Sequence, residues 1–389
     1  MQLATLQKGL RIIAIRPSLN FSMNKLVLGN ILHRPLRTAI SVIAVAIEVV
    51  MILSIVAIMV GQVSNASSQT GGIGNDLFVR PPNASFISSV GGAPVPAKIA
   101  EVLCKLPHVT VAAPVITDFN MQGSVETIWG IDFDSYNALK PFVFVAGTPF
   151  QGPNDVIVDD LYARSGKGRE VGKTIQVLNL PFRISGIVEH GKGGRLFLPI
   201  HTLGTLMGTP DNASLFYIKS DDIKNQGLIA QEIKNTPGLL QYQVQTIQEW
   251  MSLMTPDHLP GFNIALRTVI SIAFIVGFLV IFQSMYTAVM ERTREIGILK
   301  SLGASKGYIL NTILREAALV SIAGIILGIL FTQILKAGMG YRFPTMPFIV
   351  TADWQWKGAM IAFIGSIVGA IYPGLKAAGK DPIDALAYE

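Results

Sequence analysis

Four apolar segments constrain this chain more than anything else in it. Residues 39–63, 267–290, 317–336 and 357–375 are each about the length an α-helix needs to cross roughly 30 Å of hydrocarbon. Their spacing is uneven. Residues 64–266 separate the first from the second, whereas the last three follow one another closely. Composition agrees, since 50% of the 389 residues are hydrophobic and only 14% are charged, against about a quarter in ordinary soluble chains.

Lys and Arg at the span ends set the orientation. The N-terminal segment 1–38 carries Lys8, Arg11, Arg16, Lys25, Arg34 and Arg37 and no acidic residue. The 291–316 connection carries Arg292, Arg294, Lys300, Lys306 and Arg315, and the tail 376–389 carries Lys376 and Lys380. The 337–356 loop holds little beyond Arg342. This pattern predicts cytoplasmic termini and a cytoplasmic 291–316 connection, with residues 64–266 outside. Residues 1–23 mix Leu, Ile and Phe with Lys and Arg. They read either as an amphipathic helix along the cytoplasmic face, broken near Pro17, or as an unstructured tail. The run from residue 39 is too long for a signal-peptide core and lacks a cleavage site, so it reads as an uncleaved first span. The net charge of +6 lies on the cytoplasmic flanks and reads as a topology signal, with no nucleic-acid partner implied. Cys104, the sole cysteine, permits neither an intrachain disulfide nor a Cys-based metal site.

Residues 64–266 suffice for a sizeable domain. Small polar residues over 64–74 predict a linker leaving the membrane. Strand-like runs follow at 76–79, 109–115, 125–129, 155–158, 174–178 and 182–188, with a turn at 179–181, and helix-like stretches at 97–106 and 223–235. The expected fold is therefore an α+β domain inserted between the first and second of four transmembrane helices. No active site emerges. Gly168 and Gly172, ahead of Lys173-Thr174, have three residues between them where a phosphate loop has four, and a strand follows, so the stretch reads as a turn. Gly191-Lys192-Gly193-Gly194-Arg195 reads as a flexible, solvated loop, the alternative for its two positive charges being an anion or partner contact. His33, His108, His190, His201 and His258 lack metal-ligand spacing. Asp159-Asp160 and Asp221-Asp222 read as turn or cap residues. No catalytic, cofactor-binding or metal residue is assigned.

The stretch between the second and third spans is the strongest functional candidate: Glu291, Arg292, Arg294, Glu295, Ile296, Gly297, Ile298, Leu299, Lys300, Leu302, Gly303 and Ala304. Carboxylates early and Lys300 late suit a helix dipole. Ile296, Leu299 and Leu302 recur every three residues and predict an apolar stripe for a partner groove or the membrane surface. The plainer reading is a solvated connector with ion pairs such as Glu291 to Arg294. Glu48, near the middle of the first span, costs at least about 2.5 kcal/mol there. It reads as a proton-coupling group, as a residue facing a polar seam between two copies, or as a protonated carboxyl packed on another helix. Gly324 with Gly328, and Gly365 with Gly369, have the spacing that lets helices approach closely.

Several stretches carry a family resemblance. They are the basic entry Leu28-Gly29-Asn30-Ile31-Leu32-His33-Arg34-Pro35, the run Val156-Ile157-Val158 with Phe182-Arg183-Ile184-Ser185-Gly186, and Glu291 to Gly297 with Leu302-Gly303-Ala304. The tail Pro373 with Asp381-Pro382-Ile383-Asp384 completes them. Together they resemble the permease subunits of the MacB/FtsX-type ATP-binding-cassette family, which includes lipoprotein-releasing and macrolide-export permeases. The resemblance implies one span, a large periplasmic core domain and three more spans in a bacterial inner membrane. It implies a homodimer on two cytoplasmic ATPase subunits, where ATP hydrolysis moves the outer domains. ATP and Mg are then expected in a separate ATPase chain, with no cofactor and no catalysis in this one. A periplasmic adaptor and an outer-membrane channel are further expected partners where two membranes exist. The alternative it leaves open is a cell-division-type or sensory regulator that signals to a partner without exporting cargo.

Overall fold

The computed structural model describes residues 29, 35–82, 94–120, 126–253, 255 and 261–381. The expectations for residues 1–23, most of the basic entry before Pro35, His33, His258 and the tail from Pro382 onward lie outside the described residues. The helices in chain order are α1 Pro35–Gly71, α2 Ile99–Leu103, α3 Phe133–Leu139, α4 Asp160–Arg164, α5 Ile200–Leu206, α6 Gln226–Asn235, α7 Ile247–Leu253, α8 Phe262–Glu291, α9 Thr293–Ser301, α10 Lys306–Arg342 and α11 Ala352–Gly379. Two compact units form. One is helical and comprises the chain up to Ile55, Arg267–Ile334 and the part from Val350 onward; the other comprises Val56–Leu266 and Leu335–Ile349.

Helices α1, α8, α10 and α11 are long and apolar enough to cross a membrane. Hydrocarbon offers no partner for backbone amides, so such segments must pair their own as helices. Their ends differ from the expected span boundaries. The predicted linker 64–74 is helical as far as Gly71, because Ser68 Oγ and Thr70 Oγ1 bond back to the carbonyls of Asn65 and Ala66 (3.0 and 2.9 Å) without disturbing the ladder. The second half of the 291–316 connection already belongs to α10. The 337–356 loop shrinks to about ten residues, since α10 runs on to Arg342 and α11 begins at Ala352.

Glycines close the helical unit. A Cβ on Gly324 would meet Val45 at 2.6 Å and one on Gly328 would meet Val49 at 2.7 Å, so α10 lies along α1 in the same direction. Gly365 faces Phe274 and Gly369 faces the Phe278 carbonyl, which sets α11 parallel to α8. Both predicted glycine pairs therefore pack within one subunit. Gly358 on Leu53 and Gly374 on Leu310 complete the bundle. Small residues suit lipid-embedded packing, where dispersion replaces the hydrophobic effect as the attraction. This alternation of direction brings the start of α1, α9 and the end of α11 to one end of the unit.

The second unit is built on one mixed sheet. Its strands are β1 Leu77–Arg80, β2 Val95–Pro96, β3 Val109–Asn120, β4 Glu126–Ile131, β5 Phe144–Gly147, β6 Asp155–Asp159, β7 Thr174–Val177, β8 Leu180–Val188, β9 Leu196–Pro199, β10 Asn212–Ala213, β11 Leu215–Ser220 and β12 Gln243–Thr246. The sheet order is β12-β1-β11-β3-β4-β9-β6-β8-β5, with β7 on β8, and β2 and β10 pair separately. The α+β expectation holds, yet the central strands β11 and β9 went unpredicted. Both are buried on both faces. Tyr217 and Phe197 enter one core, while Phe216 and Ile218, and Leu196 and Leu198, enter the cores on the other side. A strand buried on both sides shows no polar alternation to read. The expected 179–181 turn is shifted to Leu178 and Asn179 (φ 52 and 65), which join Val177 directly to its partner Leu180.

The 191–195 loop is not solvated as expected. Lys192 and Arg195 are buried. The Lys192 ammonium donates to the Lys140 carbonyl, and its own carbonyl accepts from Tyr136 Oη at 2.7 Å. Asp159 caps α4 through Tyr162 N–H (2.6 Å), and Asp222 caps the turn at Lys224 N–H (2.9 Å), as the cap reading expects.

Candidate coupling site

The predicted stretch folds as a short helix hung between two long ones. Helix α8 ends at Glu291, and Arg292 leaves helical geometry (φ −108, ψ 18) before α9 starts at Thr293. Thr293 Oγ1 donates to the carbonyls of Met290 and Val289 (2.9 and 3.2 Å), stitching across the break. At the far end Gly303 N–H bonds to Lys300 O (3.0 Å) and Ala304 N–H to Leu299 O (3.0 Å). That is the Schellman pattern, which needs a left-handed residue after the cap. Gly303 supplies it at φ 95. Ser305 Oγ then accepts from Tyr308 N–H (3.2 Å) and opens α10. Leu302-Gly303-Ala304 thus forms a stop followed at once by a start.

Two parts of the expectation are corrected. Glu291 is the last residue of α8 and not an N-terminal carboxylate of α9, so only Glu295 favours the α9 dipole. The stripe Ile296, Leu299, Leu302 is not one face. Ile296 and Ala304 pack on the bundle core, Leu299 is half-buried, and Leu302 stands out 80% exposed at the cap. A 3.6-residue turn rotates residues spaced by three steadily off one line. Thr293 and Gly297 face inward, while Arg294, Glu295, Ile298 and Leu302 face outward, with Ile298 at 45% exposure. The outward ridge therefore runs at a spacing of four.

A buried charge cluster holds the hinge. Glu316, in the third turn of α10, accepts from Arg292 Nη1 at 3.0 Å and from Arg37 Nη2 at 3.2 Å, and Arg37 Nη1 reaches Glu291 at 3.3 Å. Glu291 thus pairs with Arg37 and not with Arg294. At the other end the Lys300 ammonium donates to the carbonyls of Ala378 (3.1 Å) and Lys380, where the dipole of α11 favours a cation. Through these contacts α9 is tied to α1, α10 and α11. Sequence reasoning missed Glu316, because it sits one residue ahead of the expected third span. Its signal is a lone carboxylate beside an apolar run. Between α8, α9 and α10 lies a small groove of about 60 Å³, walled by Met285, Val289, Ile296, Leu299, Ile309 and Ile313, with Arg292 and Glu316 among its polar lining.

Glu48 is not part of this assembly. It is 2% exposed, and neither oxygen has a hydrogen-bond partner among the described residues. Its carboxyl rests on Gly277 of α8, where a Cβ would lie 2.0 Å from Oε2. The carboxyl is enclosed by its own subunit, which removes the reading of a seam between copies and matches a group packed on another helix. Burying an unpaired carboxylate costs far more than burying the protonated acid.

Comparison with known proteins places these features. Residues 38–236 match the family model of the MacB-like periplasmic core domain, and residues 267–382 match that of the FtsX-like permease C-terminal region. The chain is 24% identical to the uncharacterized ABC transporter permease YknZ of Bacillus subtilis (strain 168), over 94% of this chain and 98% of that one. It is 24% identical to the macrolide export ATP-binding/permease protein MacB of Escherichia coli, over 92% of this chain and 59% of that one. The crystal structure of the extracellular domain of the noncanonic ABC-type transporter YknZ from Gram-positive bacteria aligns with a TM-score of 0.35 at 17% identity, over 44% of this chain and 98% of that one.

Proposed function

Because this chain belongs to the family of MacB/FtsX-type ABC permeases, we propose that it couples ATP hydrolysis in a separate cytoplasmic ATPase subunit to movement of its inserted domain. The chain itself performs no catalysis, and ATP and Mg bind in the partner. Two copies pair in a bacterial inner membrane, with both termini and α9 in the cytoplasm and residues 64–266 outside. The basic residues near the ends of the spans support that orientation. Arg37, Arg292, Arg294, Lys300, Lys306, Arg315, Lys376 and Lys380 gather at the end that carries α9.

The observation that carries the reading is the seating of α9. Its inner face is fixed by the Arg292–Glu316–Arg37 cluster and by Lys300 on the end of α11. Its outer ridge offers Arg294, Glu295, Ile298 and Leu302 to a partner. A short helix held at both ends passes a push to three long helices at once, whereas a loosely tethered one would absorb it. Co-expression with the nearest encoded ATPase tests this. The wild-type chain is expected to co-purify with the ATPase as a stoichiometric, ATP-hydrolysing complex, and Ile298→Asp with Leu302→Asp to lose it while the permease still inserts. A complex that survives the double change with full activity refutes α9 as the docking element.

A further inference from the structure

The 191–195 loop and the connection between α10 and α11 meet in an unusually close contact. Arg195, 9% exposed, lies between two partners: Nη1 donates to Asp159 Oδ2 at 3.1 Å and Nη2 to the Thr345 carbonyl at 3.0 Å. Its own carbonyl accepts from Asp159 N–H at 2.9 Å. Arg195 is thus fixed to the sheet by backbone and side chain, with one arm left for the 343–349 connection. The rest of the loop is equally constrained. Gly193 and Gly194 lie flat on the Trp129 ring, where a Cβ would come within 2.5 and 2.7 Å, and Trp129 stacks on Tyr217 at 5.8 Å in the sheet core. Just after α1, Gly72 abuts the Gly191 carbonyl, and within α1 Gly61 abuts the Pro347 carbonyl, where a Cβ would sit 2.3 Å away. Ile349 N–H bonds to the Ala57 carbonyl at 3.2 Å.

We propose that this contact is a transmission joint, in which the 343–349 connection grips the inserted domain through Arg195 and passes the displacement of α10 and α11 into strands β6 and β9. The inference rests on the coupling function proposed above and names the residue that positions the domain for it. A flexible tether would need none of these features. The joint instead sets glycine at its closest backbone approaches, buries Arg195, and places a guanidinium where its planar fork reaches a carboxylate and a carbonyl together. Stability alone does not account for the ion pair. Burial pushes the Asp159 carboxyl up to about 6, against the opposing pull of Arg195 and the Tyr162 amide. Desolvation therefore outweighs attraction, the usual balance when a buried pair sets geometry more than it adds stability.

Cys104, the sole cysteine and an exposed one, provides the probe. With a spin label there, the distance between the two copies in the full permease–ATPase complex reads domain movement with and without trapped ATP. The wild-type distance is expected to shift on trapping. Arg195→Met keeps the apolar stem and removes the fork, and Gly61→Ala displaces the connection without touching the sheet. Both are expected to keep the resting distance and ATPase activity while losing at least half of the shift. Arg195→Lys, which restores a cation opposite Asp159, is expected to recover part of it. A full shift in Gly61→Ala and Arg195→Met overturns the joint. If Arg195→Met misfolds, Gly61→Ala alone decides. A wild-type complex that hydrolyses ATP with no change at Cys104 refutes instead the coupling function, and the joint with it.

Discussion

Replacing Glu316 by alanine removes the carboxylate shared by Arg37 and Arg292, and the cost follows from the geometry. The side chains of Glu316, Arg292 and Arg37 are 5%, 10% and 18% exposed, so all three charges are largely withdrawn from water. Deleting one member of such a group costs about 3–5 kcal/mol, because the remaining charges keep their desolvation penalty. Arg37 retains Glu291 at 3.3 Å, which places the expected loss near the lower end, about 3 kcal/mol. Arg292, the residue where α8 stops and α9 begins, loses its bond to Glu316. At about 1.4 kcal/mol per decade, the amides of residues 293–301 should then exchange about 100-fold faster. Hydrogen–deuterium exchange on the full-length protein in nanodiscs reads this directly. Glu316→Gln keeps an acceptor for both guanidinium groups and should give a clearly smaller acceleration. Unchanged exchange of α9 in Glu316→Ala would refute the reasoning and show that the apolar contacts of Ile296 hold the helix without the charges. Acceleration spread equally over all four long helices would refute it too, because the cluster would then be supporting the whole bundle.

Three further outcomes follow from the same structure. Glu48→Gln should leave thermal stability within about 1 kcal/mol of wild type, since an amide of the same size fills the same niche on Gly277; a loss of several kcal/mol would show the packing reading wrong. Gly328→Ala brings a methyl to 2.7 Å from Val49 Cβ and should destabilise by about 1–3 kcal/mol. Gly340→Ala meets nothing within 4 Å and should stabilise by up to about 1 kcal/mol through helix propensity; equal shifts in thermal denaturation would contradict the packing. Asp159 bears on pH. Its folded pKa, about 6, lies above the 3.8 of an unperturbed aspartate, so the folded state holds the extra proton between those values. Its contribution to stability is therefore full below about pH 4, declines as pH rises to about 6 and is flat above, by at most about 3 kcal/mol. Asp159→Asn should flatten that part of the full-length protein's stability profile, and an unaltered slope would assign it to other groups.

How far the fold could be read in advance depends on whether a feature is local. The strands at 155–159 and 174–177 were legible because turn residues bracket them, and β11 was not, because Leu215-Phe216-Tyr217-Ile218 is buried on both faces. Position 191–195 misled for a related reason. Three glycines and two cations are the composition of a solvated loop, and only Trp129 and Thr345, distant in the chain, make the same glycines a close contact and the same arginine a clasp.

What the chain alone determined about this protein is its plan. Four runs of about twenty apolar residues, their basic flanks and the Leu302-Gly303-Ala304-Ser305 stop-and-start each act over a few consecutive residues, and short-range chemistry decides them. The tertiary structure decided what that plan does with its charges. Glu316 joins Arg37 across 279 positions, Arg195 joins Thr345 across 150, and Glu48 finds its niche on Gly277. A charge in a low-dielectric interior takes its meaning from whatever lies within about 4 Å of it, and chain folding, not neighbouring sequence, chooses those atoms.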